Sequence, residues 1–71
     1  MLGEILLRLV SVMTPDDVRE LKAAGYEGEV RALLGVWDAM AIHWRRAGVS
    51  DIQVLADVQI KLNELRAALR E

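Results

Sequence analysis

Residues 30–69 read VRALLGVWDAMAIHWRRAGVSDIQVLADVQIKLNELRAAL, and two apolar rhythms of the same period run through them. In the first half, Val30, Leu33, Trp37, Met40, Trp44 and Ala47 are separated by alternating steps of three and four. That is the seam of a helix lying lengthwise on another helix. Leu34 and Ala41 flank this seam on one side and Val36 on the other, while Arg31, Asp38 and Arg45 recur on the opposite face. In the second half, Leu55, Val58, Leu62, Leu65 and Leu69 repeat the same steps. Only Gly48, Val49 and Ser50 separate the two seamed segments, and a link that short makes neighbouring helices turn back on each other. The spacing therefore predicts an antiparallel helical hairpin.

The ends of these helices carry their own signals. The first segment is expected from about residue 27 to 47, with Arg45 and Arg46 complementing the negative end of the helix dipole and Gly48 closing it. The second is expected over about 50–70, opening on a capping box of Ser50 and Gln53 with a Val49–Val54 staple. Asp57 and Lys61 are spaced as an i,i+4 ion pair. Gly35 sits inside the first segment at a cost of ~1 kcal/mol relative to alanine, unless a close neighbour needs its missing side chain.

Upstream, Leu2, Ile5, Leu6, Leu9, Val12 and Met13 line one side of a helix over about 2–13, widened by Leu7 and Val10. Glu4, Arg8 and Ser11 are its only polar face, so a helix this apolar calls for cover on most sides. The residue before a proline avoids helical geometry, so Thr14-Pro15 separates this helix from the next. Thr14 is placed to cap a short helix over about 15–24, with Asp16 and Asp17 at its positive end and Met13 and Val18 as a staple. Val18 and Leu21 face inward, and Gly25 supplies the left-handed residue that ends the helix. The expected fold is thus all-α: a single domain spanning residues 1–71, a three- to four-helix protomer built on the hairpin.

Composition argues for association. A chain of 71 residues buries only about 60% of the surface its unfolded form exposes. It has no cysteine for disulfides or thiolate metal sites, and one histidine cannot build a structural zinc site from imidazoles. Yet 54% of its residues are hydrophobic and its mean hydropathy is +0.21. The simplest outlet for that surplus is a homodimer that enlarges the bundle. Ile42, and a stripe of Ala56, Ile60 and Ala67, lie outside the hairpin seams and would seat either the first helix or a second protomer.

Several functional classes are disfavoured. A net charge of −2 and a pI near 5.3 run against nucleic-acid binding, where neutralising phosphates supplies most of the affinity. The Ala23-Ala24-Gly25-Tyr26 turn invites a helix-turn-helix reading, but Leu21, Glu20 and Arg31 occupy positions where that motif wants small, apolar and buried residues. No uncharged run approaches the ~20 residues of a membrane span. The apolar stretch from Met1 to Met13 is interrupted by Glu4 and Arg8, unlike a signal peptide. A cytoplasmic protein is expected, partnering neither membrane nor nucleic acid. Arginine outnumbers lysine, phenylalanine is absent and asparagine occurs once, a bias that suggests a GC-rich bacterial or phage genome.

No residue pattern calls for catalysis, a metal or a cofactor. Asp16, Asp17 and Glu20 cluster, but capping and solvation account for acids in a first helical turn. Arg45 and Arg46, with Arg31, and the pair Arg66 and Arg70 are basic groupings of the kind helix C-termini carry. The leading expectation is a non-enzymatic protein–protein interaction module: an adaptor, chaperone, inhibitor or assembly factor. It binds itself and another protein through Trp37, Met40, Trp44, Leu55, Val58, Leu62 and Leu65. A different class, a small-molecule or haem-binding bundle, would use His43 with Met40, Trp37 and Trp44. A DNA-binding regulator is the third.

Overall fold

A computed structural model describes residues 2–71 and contains four helices and no strand among them. Met1, the start of the apolar N-terminal run, lies outside the described residues. The helices are α1 (Leu2–Val12), α2 (Pro15–Ala23), α3 (Glu27–Ala47) and α4 (Ile52–Arg70). They form a rod of 37 × 16 × 16 Å. At 1.5 Å per residue the lengths of α1 and α2 add to roughly 30 Å, about that of α3 alone.

The axis of packing is α4, which lies against α1, α2 and α3. Its Leu55, Val58, Leu62 and Leu65 are completely buried, and Ala68 and Leu69 nearly so. Leu6 and Val10 of α1, Val18 of α2 and Val30, Leu34 and Ala41 of α3 complete this core. The buried set is wholly apolar, so no side chain inside it requires a hydrogen-bond partner.

The break between α1 and α2 is built as expected. The Thr14 hydroxyl accepts from the Asp17 amide at 3.1 Å, and the Asp17 carboxylate accepts from the Thr14 amide at 2.9 Å. Gly25 and Gly48 take positive φ values of 96° and 67°, closing α2 and α3 in backbone that other residues avoid. Side chains tie α2 to the end of α4. Lys22 donates to the carbonyls of Leu69 and Glu71, and Arg19 bridges Asp16 and Glu71. The Glu71 hydrogen bond, more than Asp16, raises the proton affinity of the Arg19 guanidinium. Arginine is charged at neutral pH in any case, so this pair orients α2 and does little for stability.

The other end of α1 is fixed by a close approach. Gly3 is buried, and its amide donates to Ser50 Oγ at 2.7 Å. A Cβ at this position would fall on Ser50 Oγ and lie 3.2 Å from Leu55 Cδ2. Glycine is therefore what lets the α1 backbone reach the link between α3 and α4.

Four local expectations are corrected. Ser50 does not cap α4: Asp51 does, accepting from the amides of Gln53 and Val54, and α4 begins at Ile52. Ser50 Oγ is engaged by Gly3 instead, a partner 47 residues away that no local rule detects. The Asp57–Lys61 pair is replaced, since Lys61 meets Glu64 at 3.8 Å and Asp57 accepts from Gln53 at 3.3 Å. The inward face of α3 is Val30, Leu34 and Ala41, while Leu33 and Ala47 are exposed. The inward face of α1 is Gly3, Leu6 and Val10, leaving Leu2, Ile5, Leu9 and Val12 in solvent.

Gly35 is exposed and nothing lies within 4 Å of where its Cβ would be. No packing partner requires the glycine. Gly35→Ala is expected to stabilise the chain by about 0.5–1 kcal/mol, read as a higher melting temperature by circular dichroism. A lower one would mean that this face of α3 is covered.

Candidate functional site

The helices do not share their apolar surface evenly, and the uneven side defines the candidate site. On α1, Leu2, Ile5, Leu9 and Val12 recur at steps of three, four and three, so they form one stripe along the helix. All four are exposed, Val12 the most at 77%. The stripe has heptad spacing and stays largely open to solvent.

α3 supplies the other border. Rotating from its buried line of Val30, Leu34 and Ala41, the next positions on one side are Trp37, Trp44, Leu33, Met40 and Val36. Trp37, Met40 and Trp44 are half-buried, and Leu33 and Val36 are exposed. The opposite side of α3 carries Asp38, whose carboxylate meets Arg66 of α4 at 3.1 Å. The tryptophan side therefore points away from α4, toward α1 and solvent.

A groove of about 380 Å³ joins the two borders. Leu9, Val12 and Met13 come from α1, Leu21 from α2 and Trp37 from α3. Asp17 and Glu20 of α2 form its polar rim. The Thr14 cap starts α2 directly after α1, and its Asp17 and Glu20 line the same groove as Leu9, Val12 and Met13. The arrangement suits an apolar side chain entering from above with a cation beside it. It assembles no nucleophile, base and orienting group of the kind covalent chemistry needs.

No family model, curated protein or solved structure matches the chain. The site must therefore be read from its own geometry.

That geometry divides the residues expected to carry interaction. Trp37 lines the groove, and Met40 and Trp44 lie half-buried on the same side of α3 without lining it. Leu55, Val58, Leu62 and Leu65 are fully buried between the helices, so a partner would reach them only by opening the protomer. They hold the scaffold, and the exposed apolar surface lies instead on the α1 stripe, which the sequence pattern turns inward. The α2 carboxylates were also read only as capping groups. The available signal was the excess of apolar residues on α1, more than one buried face can absorb.

The remaining groupings are dispersed. His43 is exposed, and neither His43, Met40 nor Trp44 lines the groove. Among the described residues no group of histidines and carboxylates has the arrangement of a metal site. Ile60 lies with Leu7, Ser11, Asp57, Lys61 and Glu64 in a second concavity of about 230 Å³ between α1 and α4. Arg31, Arg66 and Arg70 converge with Leu69 at the α2 end of the rod. Two of these guanidiniums already meet carboxylates: Arg31 with Glu27 at 2.7 Å and Arg66 with Asp38. No helix among the described residues is long and apolar enough to cross a membrane.

Proposed function

We propose that the chain is a non-enzymatic protein–protein interaction module that works as a homodimer, with the α1/α3 face as its contact surface. The observation that carries this reading is the solvent-facing stripe of Leu2, Ile5, Leu9 and Val12, continuous with the groove at Trp37. Large contiguous exposed apolar patches commonly mark interaction sites in soluble proteins. Trp37, Met40 and Trp44 beside it are of the residue types that dominate interface energetics.

The scaffold in this reading is an antiparallel hairpin of α3 and α4. Its support is the four-residue link between them, the Asp38–Arg66 contact and the shared core. The broken α1–α2 rod then lies along the hairpin and leaves one flank open. As an adaptor, chaperone, inhibitor or assembly factor, the protein would present the paired bundle to a further protein. A cytoplasmic accessory protein of a bacterium or phage fits the cysteine-free, arginine-biased composition.

Light scattering across micromolar concentrations tests the reading. The chain is expected to give about twice 7.9 kDa, with a melting temperature that rises with concentration. Val12→Lys puts a charge on the most exposed residue of the stripe. Within the protomer this should change stability by no more than about 0.5 kcal/mol. The variant is therefore expected to keep its helical circular dichroism, fall to 7.9 kDa and lose the concentration dependence. An unaltered dimer mass in this variant would place the interface elsewhere.

A further inference from the structure

The α1/α3 face has a direction, and the direction selects an occupant. Gly3 is bonded to Ser50, so α1 begins beside the α3–α4 link. Lys22 reaches the carbonyls of Leu69 and Glu71, so α2 lies by the far end of α4. Along the face, then, the order is Leu2 and Ile5, Arg8, the groove at Leu9, Val12 and Trp37, and finally Asp17 and Glu20. The anions stand at one end. Arg8 lies back toward the other, on α1 ahead of the Thr14 break.

Arg8 has the position of an interface cation. It follows Ile5 by three residues and precedes Val12 by four, so it borders the exposed stripe on its outer side. It makes no ion pair among the described residues, and neither does Glu20. Asp17 spends one carboxylate oxygen on the Thr14 amide and keeps the other.

We propose that the groove is filled by the α1 stripe of a second copy of this chain, turned end over end about a two-fold axis across the rod. In that arrangement Ile5, Leu9 and Val12 of one protomer pack into its partner's groove, and Arg8 of one meets Asp17 and Glu20 of the other. Symmetry repeats the contact, so both charge clusters are matched at once. Side-by-side packing with the rods pointing the same way sets Arg8 against Arg8 and acid against acid. A head-to-tail contact matches one pair and leaves an open groove at each end, which propagates into a filament. Only the end-over-end dimer both closes and matches the charges at each contact.

The extent is also suitable. A standard interface removes about 800 Å² per partner, which takes most of one side of a 37 × 16 Å rod. The exposed stripe runs the full length of α1, and its continuation on α3 reaches from Leu33 to Trp44. The inference rests on the dimer reading above and adds to it a symmetry and a charge pairing.

Charge reversal distinguishes the two claims. Arg8→Glu and Glu20→Arg leave the apolar stripe intact, and Glu20 is used because Asp17 caps α2. Each variant alone places like charges together at both ends of the interface, and each is expected to raise the dimer dissociation constant at least about tenfold. Mixed in equal amounts, the two variants carry complementary charges at both contacts. Native mass spectrometry is then expected to show the mixed dimer dominating over either homodimer, with an affinity within about threefold of the parent. Because the mixture uses the same two folded chains, its recovery separates lost association from lost folding. Dimers whose affinity ignores both reversals, and which mix statistically, overturn the end-over-end pairing while leaving the apolar interface standing. A parent chain that stays at 7.9 kDa at every concentration overturns the dimer reading itself and assigns the groove to a different chain.

Discussion

Leu62→Ala is expected to lower the stability of the protomer by about 3 kcal/mol or more, the range for a leucine deleted from a fully packed site. Leu62 is the middle member of the α4 row Leu55, Val58, Leu62, Leu65 and Leu69, and none of its surface reaches solvent. Since α4 is the element against which the other three helices pack, the cavity would open at their common contact. A 71-residue domain holds only about 4–10 kcal/mol in total, so this one change removes a large share of it. The melting temperature should fall by roughly 12–24 °C, followed by circular dichroism at 222 nm. A loss below about 1 kcal/mol would mean that α4 is not the central rod.

Gly3→Val is expected to detach α1 while the rest of the chain stays helical. The glycine packs its backbone on the α3–α4 link, and a branched side chain there would collide with Ser50 and press on Leu55. Neither obstacle moves freely: Ser50 Oγ holds the Gly3 amide, and Leu55 belongs to the buried core. Overpacking of this kind costs about 1–3 kcal/mol, and lifting α1 would add the exposure of Leu6 and Val10. Hydrogen exchange should show the α1 amides losing protection while those of α3 and α4 largely keep theirs. The collision can also be isolated. Gly3→Ala should cost less in a Ser50→Gly background than in the parent, because the obstructing hydroxyl is gone. Equal costs in the two backgrounds would show that the close approach is not what confines position 3.

These two positions show what hydrophobic pattern reveals and what it hides. The α4 seam was readable residue by residue, because one helix surrounded on several sides shows its period without ambiguity. The helix ends at Thr14, Gly25 and Gly48 were readable for a similar reason, since capping and left-handed backbone are local chemistry. The rotation of α3 was not. Val30, Leu33, Trp37 and Met40 match a heptad as well as Val30, Leu34, Trp37 and Ala41 do, and periodicity does not choose between adjacent rows. Packing does: small Ala41 and Leu34 sit on the core, while Trp37 and Trp44, too bulky for the centre line, lean to the open side.

On α1 the error has a single origin. Glycine contributes nothing to a hydrophobic count, yet Gly3 sets which face of α1 turns inward. Ser50 was misread in parallel, because its partner lies 47 residues away. The candidate site inherited the first of these errors. Trp37 was assigned to it from the sequence, but its other border became visible only once α1 was rotated by Gly3, and its acidic rim only once α2 was placed by the Thr14 cap. The surplus of apolar residues was legible throughout; its address was not.

The most direct test of the α1/α3 face as a self-association surface is an isotope-filtered nuclear Overhauser experiment on an equimolar mixture of labelled and unlabelled chains. The account predicts intermolecular cross-peaks from the methyl groups of Leu9 and Val12 in one chain to the indole of Trp37 in the other. Intermolecular peaks confined to the exposed side of α4, around Ile60, would contradict it, as would their complete absence at millimolar concentration.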